Sequence, residues 1–473
     1  MSDTVERPVP KQLAVRETTI PGMVLIDLPL HGDNRGWFKE NWQREKMMSL
    51  GLPDFGPVQN NISFNDKRGA TRGIHAEPWD KYVSVATGSI FGAWVDLREG
   101  PSFGTVFTAE IGPDTAIFVP RGVGNSYQTL EDDTAYVYLV NDHWSPNAAY
   151  TFLNLEDETV AIEWPIPLAE SERSAKDLTH PRLADVSPFK PLRTLVIGAN
   201  GQLGRAIREA LPDADFADRS RIDLTKPETL DAVSWSEYDT VINAAAYTAV
   251  DKAETSGGRA ACWDSNVTGL SHLASVAREH RITLVHVSSD YVFDGSGSLP
   301  WTETDAPAPL GVYGHTKAAG EAVVGQVPRH FILRTSWVIG DGDNFVRTMS
   351  SLAGRGVDPS VVQDQIGRLT FTADIAAGIM HLLSVRPEYG IYNLTSGGPH
   401  VSWAEIARRV FEITGHDPGR VTGVSTAEYF AGKHAAPRPL NSRLSLEKIA
   451  ATGFVPRDAD DALRDYLQDA TQD

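Results

Sequence analysis

The sequence is poor in cysteine and has no long apolar run. Its one cysteine, Cys262, excludes a disulfide within the chain and with it a disulfide-stapled secreted fold. No uninterrupted apolar stretch approaches the roughly 20 residues that a membrane helix needs. Met1 to Lys11 carry charges and prolines where a signal peptide has apolar residues. These absences predict a cytoplasmic protein with no membrane partner.

Positive charge is also scarce. Lysine and arginine together number 43, against 62 aspartates and glutamates, so the formal net charge is −19. This balance argues against nucleic acid or an anionic membrane as a partner, and requires specific arginines to bind any anionic substrate. A chain of 473 residues is too long for a single core. We expect two domains, residues 1–190 and 191–473.

The first part has an apolar pattern of period two. Tyr82 to Thr87 and Ile90 to Leu97, joined at Gly88-Ser89, predict a hairpin. Further short extended runs predict an all-β domain with the strand spacing of a sandwich or barrel: Thr105 to Ile111, Ala116 to Val119 and Thr134 to Val140. The proline-containing stretch from Leu178 to Leu192 predicts a connector between domains.

From Arg193 onward, strands and helices alternate. The pattern predicts a strand at Thr194 to Ile197, a helix at Gln202 to Ala210, strands at Thr240 to Ala244 and Thr283 to Val287, and a long helical stretch ending near His280. Such alternation is typical of a parallel sheet with helices on both faces. The second domain is therefore predicted to be α/β and doubly wound.

A glycine-rich turn joins the first strand of this domain to its first helix. It comprises Gly198, Asn200, Gly201, Gln202, Leu203 and Gly204. Taken alone, it is also compatible with an ordinary strand–helix turn. Placed between a strand and a helix, however, it predicts a dinucleotide site, where the backbone approaches a pyrophosphate at the helix N-terminus.

Tyr313 and Lys317 are four residues apart, so on a helix they share one face. An ammonium beside a tyrosine lowers the pKa of the phenol and makes it a better acid–base catalyst. Ser289, at the carboxyl end of a predicted strand, can donate a second hydrogen bond to a substrate carbonyl. Together with the glycine turn, these residues predict a nicotinamide-dependent carbonyl reductase. A solvent-exposed helix face is the alternative for the Tyr–Lys pair alone.

Residues 193–473 resemble the dTDP-4-dehydrorhamnose reductases, a branch of the extended short-chain dehydrogenases. The resemblance rests on the glycine turn, Val241 to Glu254, Ser288 to Phe293, Tyr313 to Lys317, Arg334 to Trp337 and Arg438 to Arg443. It implies a Rossmann-type sheet with a small substrate-binding subdomain. It implies catalysis by Ser289, Tyr313 and Lys317, and sugar-nucleotide contacts from Ser289, Asp290, Tyr291, Trp337, Asn344 and Arg438.

The same resemblance implies a cofactor site of the glycine-turn residues with Asp218, Arg219, Asp223, Leu224, Ala244, Ala245, Ala246, Tyr313 and Lys317. Asp218 and Arg219 lie about 20 residues past the first glycine, where an acid favours NAD and an arginine favours NADP. The resemblance favours NADPH, with NADH tolerated.

The chain from Gly22 to Asp177 resembles the dTDP-4-dehydrorhamnose 3,5-epimerases, metal-free members of the cupin jelly rolls. The matching stretches are Asp33 to Glu40, Val58 to Asn61, Arg72 to His75, Val95 to Arg98, Trp144-Ser145-Pro146, Ile162 to Pro165 and Ser174 to Asp177. The resemblance implies that His75 is the general base, that Asp177 orients it, and that Tyr138 is the acid on the opposite face. Lys81 and Arg72 would stabilise the enolate and bind substrate, and the nucleotide would contact Arg35, Phe38, Glu40, Gln59 and Asn61.

Two residues depart from the epimerase pattern. Asn125 stands where the family has a histidine, and Ala76 follows His75 where an aromatic is usual. Both are expected near the active site and could alter the extent or order of epimerisation. No metal is predicted, because no two histidines are closely spaced and His31 and His143 stand alone.

These features predict a bifunctional enzyme that epimerises dTDP-4-dehydro-6-deoxy-D-glucose at C3 and C5 and then reduces C4 to give dTDP-L-rhamnose. Three alternatives stay open. The jelly roll could be a binding or dimerisation module beside an active reductase, the Rossmann half could be a regulatory subunit, or the product could be a related 6-deoxyhexose. A homodimer through the jelly roll is a further possibility.

Overall fold

The computed structural model describes residues 11–144, 148 and 150–469. The chain forms two compact units that divide between Pro191 and Leu192. Residues 1–10, from which a cytoplasmic location was partly predicted, lie outside the described residues, as do Ser145 and Pro146 of the Trp144-Ser145-Pro146 motif. Each unit has its own hydrophobic core and is described separately.

The first unit is built from β-strands with one short α-helix. Its strands are β1 Ala14–Glu17, β2 Val24–Asp27, β3 His31–Asp33, β4 Gly36–Phe38, β5 Gln59–Asn65, β6 Thr71–Ala76, β7 Lys81–Thr87, β8 Ile90–Asp96, β9 Val106–Ile111, β10 Thr115–Val119, β11 Val123–Thr129, β12 Thr134–Val140 and β13 Thr151–Phe152. The helix is α1 Arg44–Ser49, and 3₁₀ turns span Leu168–Glu170, Asp177–Thr179 and Leu183–Asp185.

Two antiparallel sheets enclose the core of this unit. One has the strand order β1-β2-β10-β7-β12-β5 and the other β13-β6-β11-β8-β9, with β3 and β4 forming a separate ribbon. Side chains from both sheets pack together, including Val83 of β7, Ile117 of β10 and Trp94 of β8. The alternation seen in the sequence therefore places one apolar face of each strand in a shared core.

The predicted hairpin at Gly88-Ser89 was wrong in its pairing. The strands exist as β7 and β8, but β7 pairs with β10 and β12, whereas β8 pairs with β9 and β11 of the other sheet. Gly88, at φ +74°, turns the chain from one sheet to the other. A period-two pattern reports the buried face of a strand and leaves its hydrogen-bonding partner undetermined.

The predicted connector carries side chains that pack on the first unit. Leu183, Val186 and Phe189 are buried and pack on the first unit, and Phe189 forms an isolated β-bridge with Arg98, just past the end of β8. The prolines in this stretch stop regular secondary structure but do not prevent packing. The chain leaves the first unit only at Pro191.

The second unit alternates strands and helices. Its strands are β14 Arg193–Ile197, β15 Asp215–Ala217, β16 Tyr238–Asn243, β17 Thr283–Ser289, β18 His330–Thr335, β19 Val338–Ile339, β20 Ser360–Val362, β21 Ile366–Gly367, β22 Thr370–Phe371, β23 Gly390–Asn393, β24 Val401–Ser402 and β25 Thr422–Val424. Its α-helices are α2 Gln202–Ala210, α3 Pro227–Asp231, α4 Val250–Ala253, α5 Ser256–Trp263, α6 Leu270–Glu279, α7 Val312–Val324, α8 Phe345–Gly354, α9 Thr372–Val385, α10 Trp403–Ile413, α11 Thr426–Tyr429, α12 Glu447–Ala451 and α13 Ala459–Asp469. A π-helical turn, Asp264–Gly269, precedes α6, and 3₁₀ turns span Trp235–Glu237, Asp290–Val292 and Pro418–Arg420.

A parallel six-stranded sheet of order β15-β14-β16-β17-β18-β23 forms the centre of the second unit. Successive side chains of one strand point to opposite faces of the sheet and pack in different apolar cores. Leu195 of β14 packs with α6, and the adjacent Val196 packs with α2 and α9. Helices therefore cover both faces, as the alternating pattern predicted. The carboxyl ends of these strands meet at one edge of the sheet, where ligands bind in open α/β folds.

A smaller cluster of elements follows the sheet. Helices α8, α10 and α13 pack around a separate apolar core that includes Val346, Val410 and Leu463. Among the described residues, no helix has the length and apolar character needed to cross a bilayer.

Candidate active sites

His75 and Asp177 form a hydrogen-bonded pair in the first unit. His75 lies on β6, and Asp177 begins the 3₁₀ turn that packs beside this strand. Nε2 of His75 is 3.1 Å from Oδ1 of Asp177. Burial would raise the pKa of Asp177, but the hydrogen bond and charge of His75 outweigh it and hold this pKa below its usual value. A charged, buried carboxylate beside an imidazole is suited to orienting that ring.

Tyr138 and Lys81 lie on neighbouring strands of the facing sheet. Lys81 begins β7, and its Nζ is 5.1 Å from the centre of the Tyr138 ring on β12. Lys81 also forms a buried ion pair with Glu77. Burial raises the pKa of Tyr138, and the negative charge of Glu77 raises it further. Tyr138 is therefore held as a neutral phenol, which can donate a proton.

Gln59, Asn61 and Arg72 are the predicted substrate residues closest to this pair of strands. Asn61 lies directly opposite Tyr138 in the β5–β12 register, and Gln59 donates a 2.9 Å hydrogen bond to Asn61. Arg72 on β6 donates to Asn65, and its charge acts on the Tyr138 phenol. The structure thus brings these polar groups and Tyr138 to one region.

Arg35, Phe38 and Glu40 lie elsewhere on the unit surface. Arg35 pairs with Asp33, and Glu40 pairs with Lys46. The Phe38 side chain is 67% exposed. Neither of these two ion pairs includes His75, Tyr138 or Lys81.

The two departures from the epimerase pattern have different surroundings. Asn125 lies opposite His75 in the β11–β6 register and is buried. Its Oδ1 accepts hydrogen bonds from Trp94 Nε1 at 2.8 Å and from the Tyr136 hydroxyl at 3.2 Å. Ala76 packs in the same core as Ile74, so it lies on the face of β6 opposite His75. Only Asn125 therefore faces the site region.

The glycine turn of the second unit has the geometry of a phosphate cradle. Gly198 has φ +90°, and a Cβ built on it would lie 2.7 Å from the backbone nitrogen of Ala245. A Cβ on Gly204 would lie 2.3 Å from the carbonyl oxygen of Gly198. Only glycine fits at these two positions, where strand, turn and helix α2 approach closely. Ala244, Ala245 and the exposed Ala246 follow β16 beside this turn.

The other turn residues have distinct contacts. Asn200 donates a 3.1 Å hydrogen bond to Asp218, which follows β15. Gln202 contacts the Asp343 carbonyl oxygen, and Leu203 is buried in the core. Asp218 also accepts bonds from Ser220 and the Arg221 backbone.

Arg219 is 81% exposed and contacts Asp223 at 3.2 Å, whereas Leu224 is buried. The Asp218 carboxylate is thus hydrogen-bonded within the chain, and the Arg219 guanidinium is the accessible charge at this position.

Ser289, Asp290 and Tyr313 meet at the carboxyl end of β17. Ser289 donates a 2.8 Å hydrogen bond to Asp290 and lies within hydrogen-bonding reach of Tyr313. The Tyr313 ring packs edge-on against Tyr291 at 5.4 Å. Burial and then Asp290 raise the Tyr313 pKa, so the expected lowering by Lys317 was wrong for this state of the protein. Burial also raises the pKa of Asp290 to about 6.

Lys317 is buried on α7 with an unexpected neighbour. Its Nζ donates a 2.6 Å hydrogen bond to the Val287 carbonyl oxygen and lies 3.3 Å from Nε2 of His286. His286 is buried and contacts Asn243, which also accepts from the Ala245 backbone. Burial lowers the Lys317 pKa to about 8. Burial and then Lys317 hold the pKa of His286 well below its usual value, so this imidazole is neutral.

A pocket of about 320 Å³ lies beside Tyr291, whose ring packs against Tyr313. Its lining includes the predicted residues Tyr291, Trp337 and Arg438. Trp337 has the uncommon φ of +48° and stacks on Trp403 at 4.0 Å. Arg438 is held by two 2.9 Å hydrogen bonds to Asp251. An aromatic pocket with a fixed guanidinium is suited to a base and a phosphate.

Asn344 has a different position. It caps α8, accepting from Arg347 and donating to Gly340, Gly342 and Tyr466. Its neighbours Phe345 and Thr348 line the pocket instead.

Comparisons with known proteins give each unit a family. A family model described as dTDP-4-dehydrorhamnose 3,5-epimerase matches residues 17–185, and one described as RmlD substrate binding domain matches residues 192–472. "Protein RmlC homolog" of Streptococcus pyogenes is 50% identical over 189 residues, covering 38% of this chain and 95% of that protein. The dTDP-4-dehydrorhamnose reductase of Aggregatibacter actinomycetemcomitans is 39% identical over 292 residues, covering 58% and 97%. The chain belongs to both families.

A solved structure supports the same assignment for the reductase-family unit. The dTDP-4-dehydrorhamnose reductase of Bacillus anthracis, in complex with NADP, is 33% identical with a TM-score of 0.54. It covers 59% of this chain and 99% of its own. The chain thus joins a cupin-type epimerase-family unit to a Rossmann-type reductase-family unit, as the sequence motifs predicted.

Sequence reasoning missed several residues of both units. Glu77 and His180 flank the epimerase-family residues, and Asn243, His286 and Trp403 flank those of the reductase family. Glu77 lies in the loop between β6 and β7, where a spacing of four residues from Lys81 does not by itself predict a contact. The other contacts depend on which strands and turns become neighbours, and spacing alone does not show this.

Proposed function

We propose that the chain carries out two consecutive steps of dTDP-L-rhamnose synthesis. The epimerase unit inverts C3 and C5 of dTDP-4-dehydro-6-deoxy-D-glucose, and the reductase unit reduces the C4 ketone with NADPH. The observation that carries this proposal is the presence of two separate acid–base groups in one chain. They are His75–Asp177 with Tyr138 and Lys81, and Ser289 with Tyr313 and Lys317.

In the epimerase unit, His75 removes the proton beside the ketone. Its Nε2 faces Asp177, so Nδ1 is left to contact the substrate. The Asp177 carboxylate stabilises the imidazolium that forms. Arg72 is exposed and can stabilise the developing enolate oxygen, whereas Lys81 is ion-paired with Glu77. Tyr138 returns a proton from the opposite face as a neutral phenol.

In the reductase unit, bound NADPH would supply the hydride that reduces C4. The turn would bring backbone N–H groups and the N-terminus of α2 to the pyrophosphate, and Gly198 and Gly204 permit the close packing that this turn requires. Arg219, exposed beside the hydrogen-bonded Asp218, is placed to meet a 2′-phosphate.

Tyr313 protonates the C4 oxygen, and Ser289 donates a second hydrogen bond. The raised pKa of Tyr313 suits this direction, since an alkoxide is basic enough to take its proton. Tyr291, Trp337 and Arg438 hold the sugar nucleotide in the pocket. Asp290 supports Ser289 by accepting its hydroxyl hydrogen bond.

The deciding experiment incubates the purified chain with the keto-sugar substrate in D₂O, with and without NADPH, and identifies products by NMR. Deuterium at C3 and C5 together with an L-rhamno product is the expected result. Incorporation at one carbon would make the first unit a partial epimerase. No incorporation would make it a binding or dimerisation module, and another C4 configuration would identify a related 6-deoxyhexose.

We infer further that the epimerase unit forms a homodimer. Strand β5 is an edge strand with Ile62 and Phe64 exposed at 68% and 56%, and Phe38 projects from the β3–β4 ribbon at 67%. An apolar edge strand is a pairing surface. In such a dimer, Arg35, Phe38 and Glu40 of one copy would contact the nucleotide bound by the other copy. Sedimentation of the wild-type chain and of Phe64→Lys tests this, with a dimer that the variant weakens as the expected result.

A further inference from the structure

Three metal-ligating side chains meet in the epimerase unit although they are far apart in sequence. His75 comes from β6, Asp177 begins a 3₁₀ turn, and His180 immediately follows that turn. One possible ligand atom from each lies within 4.8 Å of the others. Within the part of the chain that the structure describes, this is the one such group of three or more His, Cys, Asp or Glu side chains.

The spacing of these atoms is close to that of a first-row metal site. Nε2 of His75 is 3.1 Å from Oδ1 of Asp177, and Nε2 of His180 is 3.9 Å from the same oxygen. Ligands bound tetrahedrally about 2.0–2.1 Å from zinc are about 3.3 Å apart. The largest separation in the group is at most 4.8 Å, so the ligand atoms would close by up to about 1.5 Å to share one ion.

His180 has no place in the proposed epimerisation. Its side chain is 5% exposed, and neither ring nitrogen makes a hydrogen bond of ordinary geometry among the described residues, although the Leu153 backbone lies near the ring. A buried polar atom without a good partner calls for an explanation, and a bound ion is one.

We propose that His75, Asp177 and His180 bind a divalent cation of the zinc type, and that this ion reversibly blocks the epimerase unit. Two imidazole nitrogens and one carboxylate oxygen are ligands that zinc takes, with a fourth position left open. His75 is 34% exposed, which gives the ion a path to the group. The blocking role rests on the proposed function, because an ion on Nε2 of His75 breaks the bond to Asp177 and leaves the ring proton on Nδ1.

The binding test is calorimetric titration of the full, EDTA-treated chain with ZnCl₂ near neutral pH. A parallel titration with CoCl₂ follows the visible absorption of the bound ion. We expect one ion per chain and the cobalt bands of four- or five-coordination. His180→Asn should weaken binding at least about tenfold. The matched control is His143→Asn, which removes an exposed histidine of the same unit and should leave affinity unchanged.

Two results would overturn the site: no saturable binding to the wild-type chain, or equal affinity in His180→Asn. If that variant does not fold, X-ray absorption at the zinc edge of the wild-type complex decides. A shell of nitrogen and oxygen that includes two imidazoles supports the site, and a shell with one or none rejects it.

The blocking role is tested by substrate deuteration in D₂O without NADPH. We expect Zn²⁺ to stop exchange in the wild-type chain, EDTA to restore it, and His180→Asn to continue at the same Zn²⁺ concentration. If zinc binds and exchange continues, the blocking role is rejected. If the metal-free chain shows no exchange, the proposed epimerase function has failed and the binding titration still decides the metal site.

Discussion

The two candidate sites differ in how they hold charge. In the epimerase unit, the buried Asp177 contacts His75, and the buried Lys81 is paired with Glu77. In the reductase unit, the buried Lys317 faces the neutral His286, and Glu321 on the same helix is paired with Arg334 at 2.7 Å. Pairing with His75 keeps Asp177 ionised, whereas burial drives Lys317 toward neutrality. Because burial lowers the Lys317 pKa to about 8, alkaline pH should weaken the reductase.

Exposure separates the sites as well. The His75 side chain is 34% exposed, whereas Lys317 and His286 are each 2% exposed. His75, the proposed base, is thus accessible to solvent and to small ions, and Lys317 is not. Variants that stop one reaction and spare the other are the sharpest test that the sites are independent.

The largest expected effect is that of His75→Asn. Removing the base should lower deuterium exchange at C3 and C5 by up to about 10⁴-fold. NMR in D₂O without NADPH measures it. Reduction of the epimerised keto-sugar by the same variant is the control and should keep its wild-type rate. Exchange within about tenfold of wild type would show that another group is the base.

Tyr313→Phe should reverse this pattern. Loss of the proton donor is expected to lower NADPH oxidation by about 10³-fold while deuterium exchange continues. The variant should therefore accumulate deuterated keto-sugar, which NMR detects. Loss of both reactions would mean that the substitution disturbs more than the reductase unit.

Arg219→Ala should change cofactor preference. If the Arg219 guanidinium binds the 2′-phosphate, its loss should raise the KM for NADPH by about ten- to a hundredfold and leave that for NADH nearly unchanged. Steady-state kinetics with both cofactors measure this. Arg259→Ala, an exposed arginine on α5, is the matched control. Equal changes for NADPH and NADH would exclude a contact to the 2′-phosphate.

The sequence predicts the local contacts of these sites better than the contacts between residues that are far apart in the chain. The glycine turn, helix α2 and the Tyr313–Lys317 pair are local, and their spacing predicted them correctly as elements. The partners of β7 and β8, the packing of residues 183–189 and the approach of His180 to His75 are set by long-range pairing. A period-two pattern carries no information about those partners.

The direction of a pKa shift is likewise beyond the local sequence. Tyr313 and Lys317 are four residues apart, and this spacing predicted a lowered phenol pKa. In the folded chain, burial dominates for both groups and moves the Tyr313 pKa upward and the Lys317 pKa down to about 8. Desolvation depends on the whole packed environment, including β17 and the π-helical turn beside α7.

The pH dependence of reduction follows from Lys317. Its ammonium is charged below a pKa of about 8 and neutral above it, so kcat/KM for reduction should fall about tenfold per pH unit above that value. Glu321 on the same helix and Cys262 on α5 act in the opposite sense and raise this pKa. Lys317→Arg keeps its charge and should lose the alkaline limb even if its rate is lower. An unchanged limb in Lys317→Arg would assign it to another group.

The smallest expected effect on rate is that of Asn125→His, which restores the residue usual in epimerases. Asn125 Oδ1 accepts from both Trp94 and Tyr136, and an imidazole nitrogen can accept from only one of them. The variant should therefore lose about 1–3 kcal/mol of stability by urea unfolding. Its ratio of C3 to C5 deuteration should change less than about tenfold, because Oδ1 is engaged with the protein. A larger change would show that this position sets which carbon is epimerised.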